Sequence, residues 1–131
     1  MKTKTLHQSM LIQAKAHDIY ETLMDSKKHS EFTGGTAKIS KLVGEKFSVF
    51  DDWASGVNVE LIPDKKIVQK WRVNDWPEGH YSEVTFAFKE VENGTRMDFT
   101  QTQIPLDEYD DIARGWNEWY WEKLKEYISQ S

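Results

Sequence analysis

The sequence contains no cysteine. A disulfide framework, a thiolate metal site and a cysteine nucleophile are therefore excluded. Basic side chains are in the minority, with 17 Lys and Arg against 22 Asp and Glu and a net charge of −5, which argues against nucleic acid or an anionic membrane surface as a partner. No apolar run approaches the roughly eighteen residues that span a bilayer, and residues 1–6 lack the core of a signal peptide. We expect a cytoplasmic protein that binds small molecules or other proteins.

The motifs of common catalytic and metal sites are also missing. There is no Gly-x-Ser-x-Gly elbow, phosphate-binding loop or dinucleotide fingerprint. The four histidines show no pair at metal-ligand spacing, and the acidic groups at residues 51–52 and 107–111 do not match a calcium loop. We predict no metal and no cofactor, and the residues give no positive reason to assign an enzymatic activity.

Hydrophobic periodicity predicts one α+β domain. A first strand is predicted over residues 5–13, followed by helices over residues 16–24 and 26–32, the second of which ends at Gly34-Gly35. Segments rich in β-branched and aromatic residues predict six more strands, at residues 37–42, 46–51, 57–62, 67–73, 83–91 and 95–104. Turn residues separate them, including Ala54-Ser55-Gly56 and the hairpin signal Asn93-Gly94. Neighbouring strands are therefore expected to be antiparallel.

A long helix is predicted over residues 106–128, and a six-residue stretch inside it, residues 116–121, contains three of the six tryptophans. Acidic residues at 107–111 favour its start. One face is formed by apolar side chains at helical spacing and one lysine stem, namely Ile112, Trp116, Trp119, Tyr120, Lys123, Leu124, Tyr127 and Ile128. Trp121 lies off this face and, with the outer strand edges, is a candidate contact for a homodimer. We predict a curved antiparallel sheet that wraps around this helix and leaves a cavity between them.

Strand alternation predicts which side chains face that cavity. They are Val57, Val59 and Leu61; Gln69 and Trp71; Val84, Phe86 and Phe88; and Met97, Phe99 and Gln101. The candidate ligand-binding residues are Trp71, Phe86, Phe88, Met97, Phe99, Gln101, Trp116, Trp119 and Tyr120. The aromatic side chains either fill the core or contact a ligand. The amides of Gln69, Gln101 and Gln103 either meet a polar head group or lie at the wet end of the sheet. No carboxylate is among the inward positions.

The loop that contains Trp76 and His80 has two interpretations. Pro77 and Gly79 make it a rigid turn in which the tryptophan packs locally. The alternative is that Trp76 and His80 form the rim of the cavity, where a neutral imidazole can donate or accept a hydrogen bond.

Several sequence motifs occur along the chain in the same order as in one known family. They are GEKFSVFD at 44–51, KWR at 70–72, WPEGHYS at 76–82, QIP at 103–105, and the helix pairs Gly115-Trp116, Tyr120-Trp121 and Leu124-Lys125. Together they resemble the C-terminal domain of the activator of the heat-shock protein 90 ATPase, in the helix-grip superfamily of START-like lipid carriers, pollen allergens and polyketide cyclases. The resemblance covers nearly the whole chain. It implies a seven-element sheet on the long helix, a pocket of variable size and no fixed catalytic set.

Three functional hypotheses follow. The first is a non-enzymatic protein that binds a small hydrophobic ligand in the cavity, as a monomer or weak homodimer. The second, implied by the resemblance, is a module that contacts a chaperone in the stress response. In the eukaryotic co-chaperone a separate N-terminal domain carries most of the ATPase stimulation, so the resemblance implies contact more directly than activation. The third is a small hydrolase or cyclase.

Overall fold

A computed structural model describes residues 2–130. The strands are β1 (Thr3–Ile12), β2 (Lys46–Val49), β3 (Ala54–Ile62), β4 (Lys66–Val73), β5 (Ser82–Val91) and β6 (Gly94–Pro105). The helices are α1 (Ala16–Met24), α2 (Ser26–Thr33), α3 (Tyr109–Gly115) and α4 (Glu122–Ser129). A 3₁₀ turn at Leu106–Glu108 precedes α3, and a π-helical turn at Trp116–Trp121 joins α3 to α4. We call residues 106–129 the C-terminal helix.

The six strands form one antiparallel sheet in the order β1-β6-β5-β4-β3-β2. The predicted fold class, a curved sheet with a long C-terminal helix and two short helices after the first strand, is confirmed. The implied count of seven sheet elements is wrong, because residues 37–42 make only one isolated bridge, between Lys38 and Ser48. No helix within residues 2–130 is long and apolar enough to cross a bilayer.

Local signals explain the two short helices. In α1 the buried residues Ile19, Tyr20 and Leu23 repeat at spacings of three and four, which turns one face to the sheet. Helix α2 begins where the Asp25 carboxylate accepts a hydrogen bond from the Lys28 N–H at 2.9 Å, a typical N-cap. It ends at Gly34, whose φ of 81° is the left-handed conformation that glycine adopts without a steric penalty.

The sequence-based assignment of β3 is wrong in two respects. Residues 54–56 belong to the strand, and the turn before it lies at Phe50, Asp51 and Asp52, which all have positive φ. The inward phase is also reversed at residues 58–59, because Asn58 is buried whereas Val59 is 40% exposed. A register shift after Asn58 returns Leu61 to the core side, as predicted. The Asn58 side chain donates to the carbonyls of residues 40 and 42 and accepts from the Gln69 amide. A fully bonded amide thus takes the position that a hydrophobic pattern gives to valine.

The C-terminal helix departs from the predicted face in its middle. In a π-helical turn each N–H bonds to the carbonyl five residues back, so a turn takes more residues than the 3.6 of an α-helix. Residue i+5 therefore lies close to the direction of residue i, and the indoles of Trp116 and Trp121 stack 5.3 Å apart. Trp121 is buried, with its Nε1–H donating to Gln8 Oε1 at 2.6 Å, whereas Trp119 is 53% exposed. Trp121 thus cannot support the homodimer contact expected of an exposed indole.

The main core lies between the sheet and the C-terminal helix. Phe99 of β6 is fully buried, and its ring centroid lies 4.5 Å from that of Trp116 and 5.1 Å from that of Trp121. Phe86 of β5 packs against the same indoles. Burying rings of this size is worth several kcal/mol each at about 25 cal/mol per Å². The helix is therefore fixed on the sheet at this level, and the larger open space lies beside it.

Candidate functional site

An open cleft of about 630 Å³ lies beside the C-terminal helix. Its walls come from the end of α2, the turn between β2 and β3, the end of β4, and the first half of the C-terminal helix. The lining residues are Thr33, Gly34, Gly35, Phe50, Asp51, Trp53, Trp71, Val73, Asp75, Glu108, Asp111, Ile112, Gly115, Trp116, Trp119 and Tyr120. We refer to this space as the aromatic cleft.

Six aromatic side chains give the cleft its name. Trp71, Trp116 and Tyr120 are buried and hold one another in tilted contacts, with the Trp71 and Trp116 centroids 5.6 Å apart. Trp53 and Trp119 are 42% and 53% exposed. The Trp53 ring lies edge-on to Trp71 at 5.8 Å. The cleft therefore combines a rigid aromatic base with two tryptophans that present apolar surface to solvent.

The turn before β3 supplies one wall through a strained backbone. Phe50, Asp51 and Asp52 have φ values of 52°, 56° and 70°, a left-handed conformation that costs roughly 1–2 kcal/mol for each non-glycine residue. The Phe50 ring lies 5.4 Å from the Tyr120 ring, and Asp51 accepts a hydrogen bond from the Thr36 N–H at 2.9 Å. These contacts hold the turn in a conformation that its residues do not prefer, and keep Phe50 and Trp53 against the cleft.

Four carboxylates, Asp51, Asp75, Glu108 and Asp111, line the same space, and no lysine, arginine or histidine of residues 2–130 does. The expectation that no carboxylate lines the cavity is therefore wrong. Burial raises the pKa of Glu108, and the nearby negative charges of Asp75 and Asp111 raise it further. Hydrogen bonds from Thr36 lower the pKa of Asp51, so that carboxylate stays charged. The cleft is an acidic environment as well as an aromatic one.

Beneath the cleft, Tyr120 is bonded to a buried histidine. The distance between the Tyr120 hydroxyl and His29 Nε2 is 3.0 Å, and both side chains are more than nine-tenths buried. Burial lowers the pKa of His29 to about 4 and raises that of Tyr120. His29 Nδ1 has no hydrogen-bond partner in the described part of the chain, and the ring borders a second, much smaller cavity of about 20 Å³. At neutral pH both groups are uncharged, so the pair contributes no charge to the site.

Two buried glutamines are satisfied within the protein. Gln101 donates to the Ser82 hydroxyl at 2.8 Å and accepts from Trp116 Nε1 at 2.7 Å, and Gln69 donates to Asn58 at 3.0 Å. These bonds leave no need for a polar head group at either amide. Gln103 is exposed, because a β-bulge opposite β1 shifts the strand by one residue at this point.

The predicted site residues fall into three places. Trp71, Trp116, Trp119 and Tyr120 line the aromatic cleft. Phe86 borders the small cavity. Those of the solid core, outside both linings, are Phe88, Met97, Phe99 and Gln101.

The rim candidates lie elsewhere. Trp76 is 3% exposed and packs between Trp71 and His80, with ring centroids 5.7 Å and 5.6 Å away. His80 Nε2 donates to the carbonyl of Gln103 at 2.8 Å. Neither Trp76 nor His80 lines the cleft, and the buried position of Trp76 fits the interpretation of this loop as a rigid turn.

The candidate site residues include four of the sixteen residues that line the cleft. The aromatic and acidic lining residues that they leave out are Phe50, Asp51, Trp53, Asp75, Glu108 and Asp111. The acidic group at 107–111 does not match a calcium loop, and its position at the start of a helix accounts for it in the sequence. Trp53 is a large apolar side chain directly after the acidic pair Asp51-Asp52, and such an aromatic residue among charged ones in a turn is a local indication of a binding surface. The contact between its turn and the C-terminal helix depends on the tertiary fold.

A scan against family models matches residues 13–129 to the family described as activator of Hsp90 ATPase homolog 1-like protein. Among curated proteins, the chain is 33% identical over 130 residues to an activator of 90 kDa heat shock protein ATPase homolog from Dictyostelium discoideum. The alignment covers 98% of this chain and 34% of that protein. A human homolog 1 of the same name is 31% identical over 109 residues, covering 83% and 32%. The chain thus spans about a third of the length of these relatives.

Solved structures show the same architecture. An HSP90 activator from Plasmodium falciparum superimposes with a TM-score of 0.91 at 25% identity, covering 95% of this chain and 96% of that one. An Aha1 dimer from Colwellia psychrerythraea superimposes with a TM-score of 0.81 at 21% identity, covering 93% of each chain, and at that identity it shows the fold alone.

Proposed function

This chain belongs to the family of activator of Hsp90 ATPase homolog 1-like proteins, and from that premise we propose that it is a co-chaperone-like module that contacts a chaperone of the Hsp90 class. The relatives named as activators of the 90 kDa heat shock protein ATPase support this function. Because the chain spans only about a third of those relatives, the proposal is a physical contact with the chaperone, and full stimulation of its ATPase is not part of it.

The observation that carries the proposal is the pair of half-exposed tryptophans at the aromatic cleft. Trp53 and Trp119 keep 42% and 53% of their surface in water, although both line the cleft and Trp53 lies edge-on to the buried Trp71 ring. Tryptophan is enriched among the residues that dominate binding energy in protein interfaces. A partner that covered both indoles would remove their apolar surface from water, at about 25 cal/mol per Å².

Calorimetric titration of the protein with Hsp90 from the same source tests the contact. We expect a complex, and we expect Trp53→Ser and Trp119→Ser each to weaken it about tenfold or more, since interface tryptophans commonly contribute over 1 kcal/mol. Tyr81→Ser is the matched control, because Tyr81 is also 42% exposed but lies outside the cleft lining. Absence of any complex, together with unchanged ATP turnover by the chaperone, would contradict the proposal.

A second candidate function is the binding of a small hydrophobic ligand in the aromatic cleft. Its volume of about 630 Å³ lies within the range of roughly 300–1,000 Å³ that ligand pockets occupy. The six aromatic side chains in its walls suit an aromatic or lipophilic molecule.

Thermal unfolding with fatty acids, sterols and flavonoids tests this candidate. A ligand at 100 times its dissociation constant stabilises the native state by about 2.7 kcal/mol and raises the melting temperature. Gly115→Leu is the control, since a β-carbon there would make an ordinary 3.8 Å contact with Trp119 while the longer side chain fills the cleft. No shift with any compound, or an equal shift in Gly115→Leu, would count against ligand binding in the cleft.

A further inference from the structure

The aromatic cleft pairs two kinds of group that both attract positive charge. Six of its lining residues are aromatic and four are acidic, and no basic residue of the described part of the chain lines it. The negative face of an aromatic ring attracts a cation within about 6 Å, and tryptophan does so most strongly. A carboxylate attracts the same cation over a longer range. The lining is therefore complementary to a positively charged group with an apolar stem.

Trp119 already receives a cation from its own chain. The Lys123 ammonium lies 5.4 Å from the centroid of the Trp119 ring, one helical turn further along. This lysine is outside the cleft lining, whereas Trp119 also borders the cleft. The ring is therefore placed where a cation–π contact forms.

Three of the four carboxylates lack a basic partner. Asp111 forms an ion pair with Arg114 at 2.6 Å, but Asp51, Asp75 and Glu108 form no ion pair within the described residues. Glu108 is only partly exposed and lies within the field of Asp75 and Asp111. Like charges that are partly removed from water repel one another, and a cation between them relieves that repulsion.

We propose that the aromatic cleft receives an arginine or lysine side chain of a partner protein, with apolar residues of the same segment filling the remaining space. This inference rests on the proposed function and names the chemistry of the contact. The charged head lies near Asp75 and Glu108, and its stem lies along the indoles of Trp53 and Trp119. The cleft volume of about 630 Å³ exceeds one such side chain, so neighbouring leucine-like residues of the partner also enter it.

A peptide titration tests the chemistry directly. The probes are acetyl-Leu-Arg-Leu-amide, the same peptide with citrulline, which keeps the shape without the charge, and the same peptide with glutamate. Binding is followed by the NMR shifts of the tryptophan indole N–H groups. We expect the arginine peptide to bind about tenfold more tightly than the citrulline peptide, with weaker binding at high salt. Equal binding of all three peptides, or no shift at about 1 mM peptide, overturns the proposal.

Matched variants locate the site. The double substitution Asp75→Asn with Glu108→Gln removes the two charges proposed to meet the cation and is expected to abolish the preference for arginine over citrulline. Asp110→Asn is the control, because Asp110 is exposed on the same helix start but does not line the cleft. Retention of the full preference in the double variant overturns the proposed place of the cation.

A free organic cation is the competing occupant. Benzyltrimethylammonium offers the same charge and an apolar body without a peptide backbone. If it shifts the indole signals and the arginine peptide does not, the cleft takes a small molecule and the proposal is overturned. If the chaperone complex forms but the double variant binds it as tightly as wild type, the contact stands and this inference fails. If no complex forms, the proposed function fails, and the peptide titration separately decides the chemistry of the cleft.

Discussion

The buried histidine under the aromatic cleft makes stability depend on pH in a calculable way. Burial lowers the pKa of His29 from 6.5 to about 4. Between pH 6.5 and about 4 the histidine is therefore protonated in the unfolded chain but neutral in the native state. The contribution of His29 to stability is therefore complete above pH 6.5 and is lost as pH falls toward 4. At about 1.4 kcal/mol per pH unit the full loss is about 3 kcal/mol, of which about 2 kcal/mol has occurred by pH 5.

His29→Gln isolates this effect. A glutamine places an amide where Nε2 now meets the Tyr120 hydroxyl at 3.0 Å, but it does not titrate. Urea unfolding at pH 7 and pH 5 gives the free energy of unfolding of each protein. We expect wild type to lose about 2 kcal/mol more than His29→Gln over this interval, since the effects of the other titrating groups cancel in the comparison. An equal loss in both proteins would refute the argument that His29 is neutral because it is desolvated.

Two further predictions concern packing, and urea unfolding measures both. Gly56→Ala is expected to lose more than about 3 kcal/mol of unfolding free energy or to fail to fold, because its β-carbon would lie 1.7 Å from a carbonyl oxygen of β4. Gly44→Ala has open space around its β-carbon but a φ of 85°, and should lose about 1 kcal/mol. Similar losses in the two variants would contradict the steric argument. Trp116→Phe should lower the free energy of unfolding by about 2 kcal/mol, because it leaves buried Gln101 without its indole donor. Trp119→Phe changes an exposed ring and should stay within about 0.5 kcal/mol of wild type. The reverse order would contradict the stabilising role of the hydrogen bond between Trp116 and Gln101.

The sequence predicts the regular parts of this fold well because their signals are local. Helix α1 begins and ends at the predicted residues 16 and 24, and β5 and β6 form an antiparallel hairpin at the predicted place, with residues 92 and 93 as the turn and Gly94 as the first residue of β6. The inward phase of β4, β5 and β6 is also correct, with Trp71 and Phe99 buried as expected. In these elements propensity, alternation and turn chemistry agree.

The errors arise where tertiary contacts override a local pattern. Asn58 is turned inward because its amide bonds to two loop carbonyls and to Gln69, which no alternation rule contains. The π-helical turn exchanges Trp119 and Trp121 between the surface and the core. The cleft walls combine residues more than fifty positions apart, so most of its lining could not be assembled from local sequence.

The pairing of the first strand with the last has a consequence for how the molecule is made. Met10 of β1 lies opposite Met97 of β6, so β1 has no partner in the sheet until β6 has been synthesised. A nascent chain on the ribosome therefore carries Leu6 and Ile12 uncovered for most of its translation. Pairing between distant segments slows folding and lengthens the time during which apolar strands are exposed. The sheet thus closes only after β6 has emerged, and the apolar side chains of β1 stay exposed until then.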